Sequence, residues 1–247
     1  MKPLLRAELI KLRTTRTFAG LAGAAIGISL LITVLVALLT EPTEDSVLVD
    51  VFTTDLSGLF IFILAVVGIA GEWRHRTITS SLLAAPDRLR FLAAKTLAFA
   101  AAGAVLSLLI SVAVAIVGAL ILSVRDLPLP EAGELIAQMG RNALVAALTG
   151  ALAVGLGALL RNQVVAVVGL LLAGLLIEPT VNALLPEVGR YGPFSALPTA
   201  AADIPAEDAG LGEVDLLAPG LAALAMLAWI GAAFAGGYAL LRGRDVH

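Results

Sequence analysis

Few residues in this sequence have types and spacing suited to chemistry. The two histidines, His75 in a basic stretch and His247 at the C-terminus, are far apart. Cysteine is absent, so disulfides, thiolate metal sites and Cys nucleophiles are excluded. A phosphate-cradling loop needs a Gly-Lys pair, but Lys2, Lys11 and Lys95 follow Met, Ile and Ala. No Gly-x-Ser-x-Gly elbow, His-Glu-x-x-His or Glu-Glu pair occurs, which argues against a membrane hydrolase. Two features remain. One is Glu178, followed by Pro179, inside an apolar run; the other is the cationic stretch from Glu72 to Lys95. A charged carboxylate at mid-bilayer costs about 2.5 to 3.5 kcal/mol, so Glu178 is expected to be protonated, paired or facing a cavity. It lies about 21 Å of helix beyond Val164, in the outer third of a bilayer, where the cost is smaller. Two readings are open: a carboxylate in a translocation path, or a helix-end residue reaching the outer interface.

The elements that must position these residues are set by composition. The chain has 247 residues, 60% apolar and 14% charged, with mean hydropathy +1.00. A soluble domain runs at about 45 to 50% apolar and about 25% charged. The expectation is an all-α integral membrane protein forming a single membrane domain. Six runs approach the roughly 20 apolar residues that a crossing needs: Phe18 to Leu39, Val51 to Gly71, Leu97 to Leu122, Ala143 to Leu160, Val164 to Leu184, and Leu216 to Leu241. Of the 16 Lys and Arg, all but Arg125, Arg141 and Arg190 fall on one side of these runs, and acidic residues concentrate on the other. The positive-inside rule then places both termini in the cytoplasm. The first run is longer than a signal-peptide core and lacks a small-x-small cleavage pattern, so it should stay as an anchor. The absence of an internal repeat weakens an inverted-repeat transporter.

The segment 1–17 contains a short helix, Pro3 to Thr17, with Leu5, Leu9 and Leu12 on one stripe. It is either a basic flank or an interfacial helix whose Lys and Arg meet anionic membrane lipid. The segment 72–96 is the only long cytoplasmic loop. Within it Thr77 to Ala85 could form two turns across the membrane face, and Pro86 suits the first turn of a helix running into the third span. A topogenic anchor is the plainer alternative. The link 185–215, with Pro186, Pro193, Pro198 and Pro205, reads as a re-entrant hairpin, short interfacial helices or a plain extracellular loop. Small residues recur at spacing four as Gly23 and Gly27, as Ala147, Ala151 and Gly155, and as Ala233 and Gly237, which permits close helix approach.

The run from Leu5 to Arg16, the six spans, and above all Gly71, Glu72, Trp73, Arg74, His75, Arg76, Thr77, Ile78, Thr79 with Leu82, Leu83, Ala84, Ala85, Pro86 and Lys95 resemble the permease subunits of ABC-2 type transporters. The likeness covers nearly the whole chain. It implies a non-enzymatic permease, an exporter in the bacterial plasma membrane, with ATP and Mg held by a separate ABC ATP-binding subunit. It also implies a homodimer or a heterodimer with a second permease, a connecting helix at the N-terminus, and re-entrant elements between spans five and six. The loop after span two would hold the coupling helix: Thr77, Ile78, Leu82 and Leu83 would seat in the ATPase, with Glu72, Arg74 and Arg76 around them. No nucleic-acid partner is expected. A secondary transporter or channel, and less so a membrane-embedded enzyme, are the competing classes.

Overall fold

The computed structural model describes residues 2–74, 87–160, 162–212 and 214–242. Among them every regular element is a helix, and six helical segments are long and apolar enough to cross a membrane. In chain order these elements are α1 (Lys2–Thr14), α2 (Arg16–Leu39), α3 (Val47–Phe52), α4 (Ser57–Arg74), α5 (Arg88–Val124) and α6 (Ala132–Leu159). They continue as α7 (Gln163–Leu184), α8 (Pro186–Gly189), α9 (Ala196–Ala201) and α10 (Pro219–Arg242). The end of the bundle bearing α1 is called the basic end below, and the opposite one the acidic end.

Several bounds differ from those expected, each for a local reason. The N-terminal helix stops at Thr14 because Thr15 takes extended backbone (φ −83°, ψ 125°), and α2 restarts at Arg16. The third run, expected from Leu97, begins at Arg88 because the Asp87 carboxylate accepts the free N–H groups of Leu89 and Arg90 at 3.1 Å. With 37 residues α5 is about 55 Å long, well over the roughly 30 Å of hydrocarbon, so it projects beyond a bilayer. Asn162 caps α7 in the same way, and α10 starts at Pro219, where a missing N–H costs nothing.

The second run differs most. Instead of one helix over Val51 to Gly71 the chain forms α3 and α4, unwound between Thr53 and Leu56. Broken backbone inside an apolar bundle must find partners, and α2 supplies them. Its stripe of buried residues is Ala25, Ser29, Thr33 and Ala37. The Leu56 N–H donates to Ser29 Oγ at 3.1 Å, and the Thr54 and Thr33 hydroxyls meet at 2.6 Å.

The centre of the bundle is α5 against α6, with α4 and α10 also packed on α6 and α2 on α5. α6 is the most enclosed of the six segments. Two of the small-residue rows meet each other: a Cβ added at Gly155 would stand 2.9 Å from Ala233 Cβ, and one at Gly237 would stand 2.8 Å from Ala158 Cβ. The third row, Gly23 and Gly27, has no neighbour within 4 Å for an added Cβ. α7 lies at the periphery, with Leu172, Leu175, Leu176 and Ile177 more than half exposed. Its turn Ala173–Ile177 is π-helical, directly ahead of Pro179. The wider turn removes the clash that proline makes with the carbonyl four residues back.

Candidate functional site

Of the residues expected to contact an ATPase, Glu72 is described. The Arg74 side chain, Arg76, Thr77, Ile78, Leu82 and Leu83 lie outside the described residues. Glu72 is 8% exposed and points into the bundle, not outward. Its Oε1 accepts from Lys95 Nζ at 3.0 Å, and the same ammonium donates to Glu8 Oε2 at 2.8 Å. Lys11 closes the group, 2.7 Å from Glu8 and 3.6 Å from Glu72. Two carboxylates and two ammonium groups thus cancel in charge. They join α1, α4 and α5 at the basic end. Lys95 is 2% exposed, and its Nζ lies 5.5 Å from the Phe91 ring centre and 6.0 Å from that of Phe99, close enough for cation–π attraction.

Helix α1 is therefore oriented by a charge. Leu5 and Leu12 of its apolar stripe are half-buried, but Leu9 is exposed and the one fully buried residue is Glu8. Burial pushes the Glu8 carboxyl up, but Lys95 and Lys11 outweigh it and hold the group below its ordinary value. Burial likewise pulls Lys11 down, and Glu8 with Glu72 more than reverses that. A cavity of about 590 Å³ opens beside the cluster, lined by Glu8, Lys11, Thr15, Glu72, Lys95 and Gln163 among others.

Glu178 is 6% exposed, and its carboxylate turns onto the 185–215 link. Oε1 accepts from Ser195 N and Ser195 Oγ at 2.8 Å and from Ala196 N at 3.1 Å, while Oε2 accepts from Phe194 N at 2.8 Å. Ser195 N and Ala196 N are orphan donors at the start of α9, so the carboxylate acts as a remote helix cap. Gly192 has to be glycine because an added Cβ would overlap that carboxylate. Glu178→Gln turns one acceptor into an amide N–H₂ facing N–H donors. It should lower stability by about 1 to 3 kcal/mol and admit proteases to 185–215. The checks are a thermal melt in detergent and limited digestion. A variant that melts like the parent but transports poorly would return Glu178 to the translocation path.

Asp55, near the start of the second apolar run, is not among the residues the sequence singles out. Asp55 sits in the break between α3 and α4, where its Oδ1 accepts from Ser57 N at 2.8 Å. Its Oδ2 accepts from the hydroxyls of Ser107 and, at 3.5 Å, Ser111 on α5. From there polar contacts run to Asn142 and Gln138 on α6 and to the Ala202 carbonyl in the link. Arg141 pairs with Asp203 at 2.8 Å nearby. The signal was an acidic residue between two apolar stretches beside Thr53 and Thr54, where a helix can break. A second cavity, of about 550 Å³, is lined by Asp55, Phe62, Asn142, Thr149, Phe194 and Ser195 among others.

No family model matches this chain, and no curated protein matches it in sequence. What the fold defines is a helical chain with six segments able to cross a membrane.

Proposed function

We propose that this chain is the membrane-spanning permease subunit of an ABC-2 type exporter in the bacterial plasma membrane. In this reading a separate ATP-binding subunit energises it, and a second permease, a copy or a paralogue, completes the pathway. Both termini lie in the cytoplasm, and the 185–215 link lies outside and enters the membrane in part. The observation that carries the reading is the Glu8, Lys95, Glu72 cluster. The segment 72–96 has Glu72 in the last turn of α4 at one flank and Lys95 in α5 at the other, and both flanks are tied through Lys95 to α1. A force applied to that segment reaches three helices as one unit. The sequence has no nucleotide-binding loop of its own, so in this reading ATP energy reaches the spans by such a contact.

The test is Leu82→Asp and Leu83→Asp, each placing a charge in an apolar contact. Both should reduce co-purification with the cognate ATP-binding subunit, and ATP hydrolysis by the reconstituted complex, by about tenfold or more, while membrane insertion is unchanged. Ser46→Asp, at the other end of the bundle, should behave like the parent. If both loop variants bind and transport normally, the segment is a topogenic anchor and the coupling role is lost. A second reading, a proton-driven secondary transporter, draws on the two carboxylates Asp55 and Glu178 inside crossings. It requires transport in proteoliposomes under a proton gradient without any ATPase.

A further inference from the structure

The Asp55 carboxylate has a chemical environment that the cluster at the basic end lacks. Its hydrogen-bond donors, Ser57 and the hydroxyls of Ser107 and Ser111, are all neutral. Among the described residues no Lys or Arg pairs with it. Along α4 it lies about 25 Å from the level of Glu72, in the acidic half of the bundle and far from Lys95. Neutral donors orient a carboxylate but supply no counter-charge, so a cation bound against it would stabilise its ionised form.

The cavity beside Asp55 has the size and lining of an organic ligand site. Its volume of about 550 Å³ falls within the roughly 300 to 1,000 Å³ of small-molecule pockets. Its walls are mostly apolar residues of α4, α6, α7 and the 185–215 link, with Asp55, Ser57, Asn142, Thr149 and Ser195 among the polar minority. Phe62 and Phe194 meet edge to face on one side, their ring centres 5.7 Å apart and their planes at 88°. The edge of one ring covers a face of the other, so the pair forms an apolar aromatic wall. Phe194 is held there through its N–H, which donates to Glu178.

We propose that this cavity binds an amphipathic organic cation, with the charged centre against Asp55 and the apolar body among α4, α6, α7 and Phe194. That such a cation is transported rests on the permease reading; that it binds does not. The test therefore uses the purified chain in nanodiscs, with no ATPase present. The probe is radiolabelled tetraphenylphosphonium, measured by scintillation proximity, with uncharged triphenylphosphine oxide as competitor.

The parent should bind the cation, and the neutral compound should compete poorly. Asp55→Asn should weaken binding by about tenfold or more, and Asp55→Glu should retain most of it. Asp208→Asn, an exposed acid on the link, should leave binding unchanged. Leu171→Trp fills the cavity without touching the charge and should abolish binding in a protein that elutes and melts like the parent. This second variant keeps the test decisive if Asp55→Asn folds poorly. Absence of parent binding, equal binding by Asp55→Asn, equal competition by the neutral compound, or retained binding in Leu171→Trp would each overturn the site. Loss of ATPase co-purification would leave it standing, and loss of cation binding would leave the coupling reading standing.

Discussion

Lys95→Met should destabilise the protein by about 3 to 5 kcal/mol, the cost of leaving buried charges without their counter-ion. The ammonium is 2% exposed and holds Glu8 and Glu72, which are 6% and 8% exposed. Without it the two carboxylates face each other with only Lys11, whose side chain is about half exposed, to offset them. The same logic gives a pH profile. Glu8 titrates below its ordinary value when α1 is docked, so its contribution is present above the usual carboxylate range and is lost as pH falls through the lowered value. Lys11 titrates above its ordinary value, so its contribution is complete below the usual lysine range and fades as pH rises through the raised one. Docking of α1 should be flat across neutral pH and fail at both extremes. In Lys95→Met, where burial is the main influence left on Glu8, the acid limb should move toward neutral. An environment-sensitive fluorophore on Ala7→Cys, the sole cysteine in such a variant, reads α1 docking. If the acid limb stays where the parent has it, Lys95 does not hold Glu8. The triple variant Glu8→Leu, Glu72→Leu, Lys95→Met should regain most of the stability, because an apolar replacement of a buried ion cluster is often neutral or better. It should still lose coupling to the ATPase if the cluster transmits force.

Gly150→Val should cost about 3 kcal/mol, at the upper end for overpacking. Gly150 on α6 lies under the Phe99 carbonyl of α5, and an added Cβ would stand 2.7 Å from that oxygen. Gly103 on α5 lies reciprocally under the Ala146 carbonyl of α6, with an added Cβ 2.5 Å away. The obstacle in both places is backbone, which no rotamer change can move, so the two central helices must separate. In a membrane, helix association depends on close packing because lipid already satisfies apolar surface. Gly140→Val on the same helix, where an added Cβ meets nothing within 4 Å, should change stability by less than about 0.5 kcal/mol. Equal melting of the two variants in detergent would refute the contact.

Much of the architecture was legible because hydropathy is a sum over neighbours in sequence. The six apolar runs each correspond to a helical segment able to cross a membrane, and a helix running into the third span could be read from Pro86, whereas its cap at Asp87 could not. The three cations on the acidic side were legible only as exceptions. In the structure each has a partner: Arg125 caps the Ala37 and Thr40 carbonyls at the end of α2, Arg141 pairs with Asp203, and Arg190 with Asp215. The break at Thr53 to Leu56 was missed because its partners come from another helix, Ser29 taking the Leu56 N–H and Thr33 meeting the Thr54 hydroxyl, which no local pattern announces.

The sequence by itself determined a helical chain of crossing segments with a basic and an acidic end, since both properties are carried by runs of adjacent residues. Tertiary structure alone decided which polar groups meet. Glu8 and Lys95 are 87 residues apart and Glu72 and Lys95 are 23 apart, and nothing in the spacing of either pair requires contact. Helical periodicity tells which residues share a face, but not which face of which other helix it will pack against. For an ionisable group in an apolar bundle that choice of neighbour governs everything: Glu8 is neutralised by lysines, Glu178 is absorbed by the start of α9, and Asp55 lies beside a cavity with no Lys or Arg paired to it among the described residues.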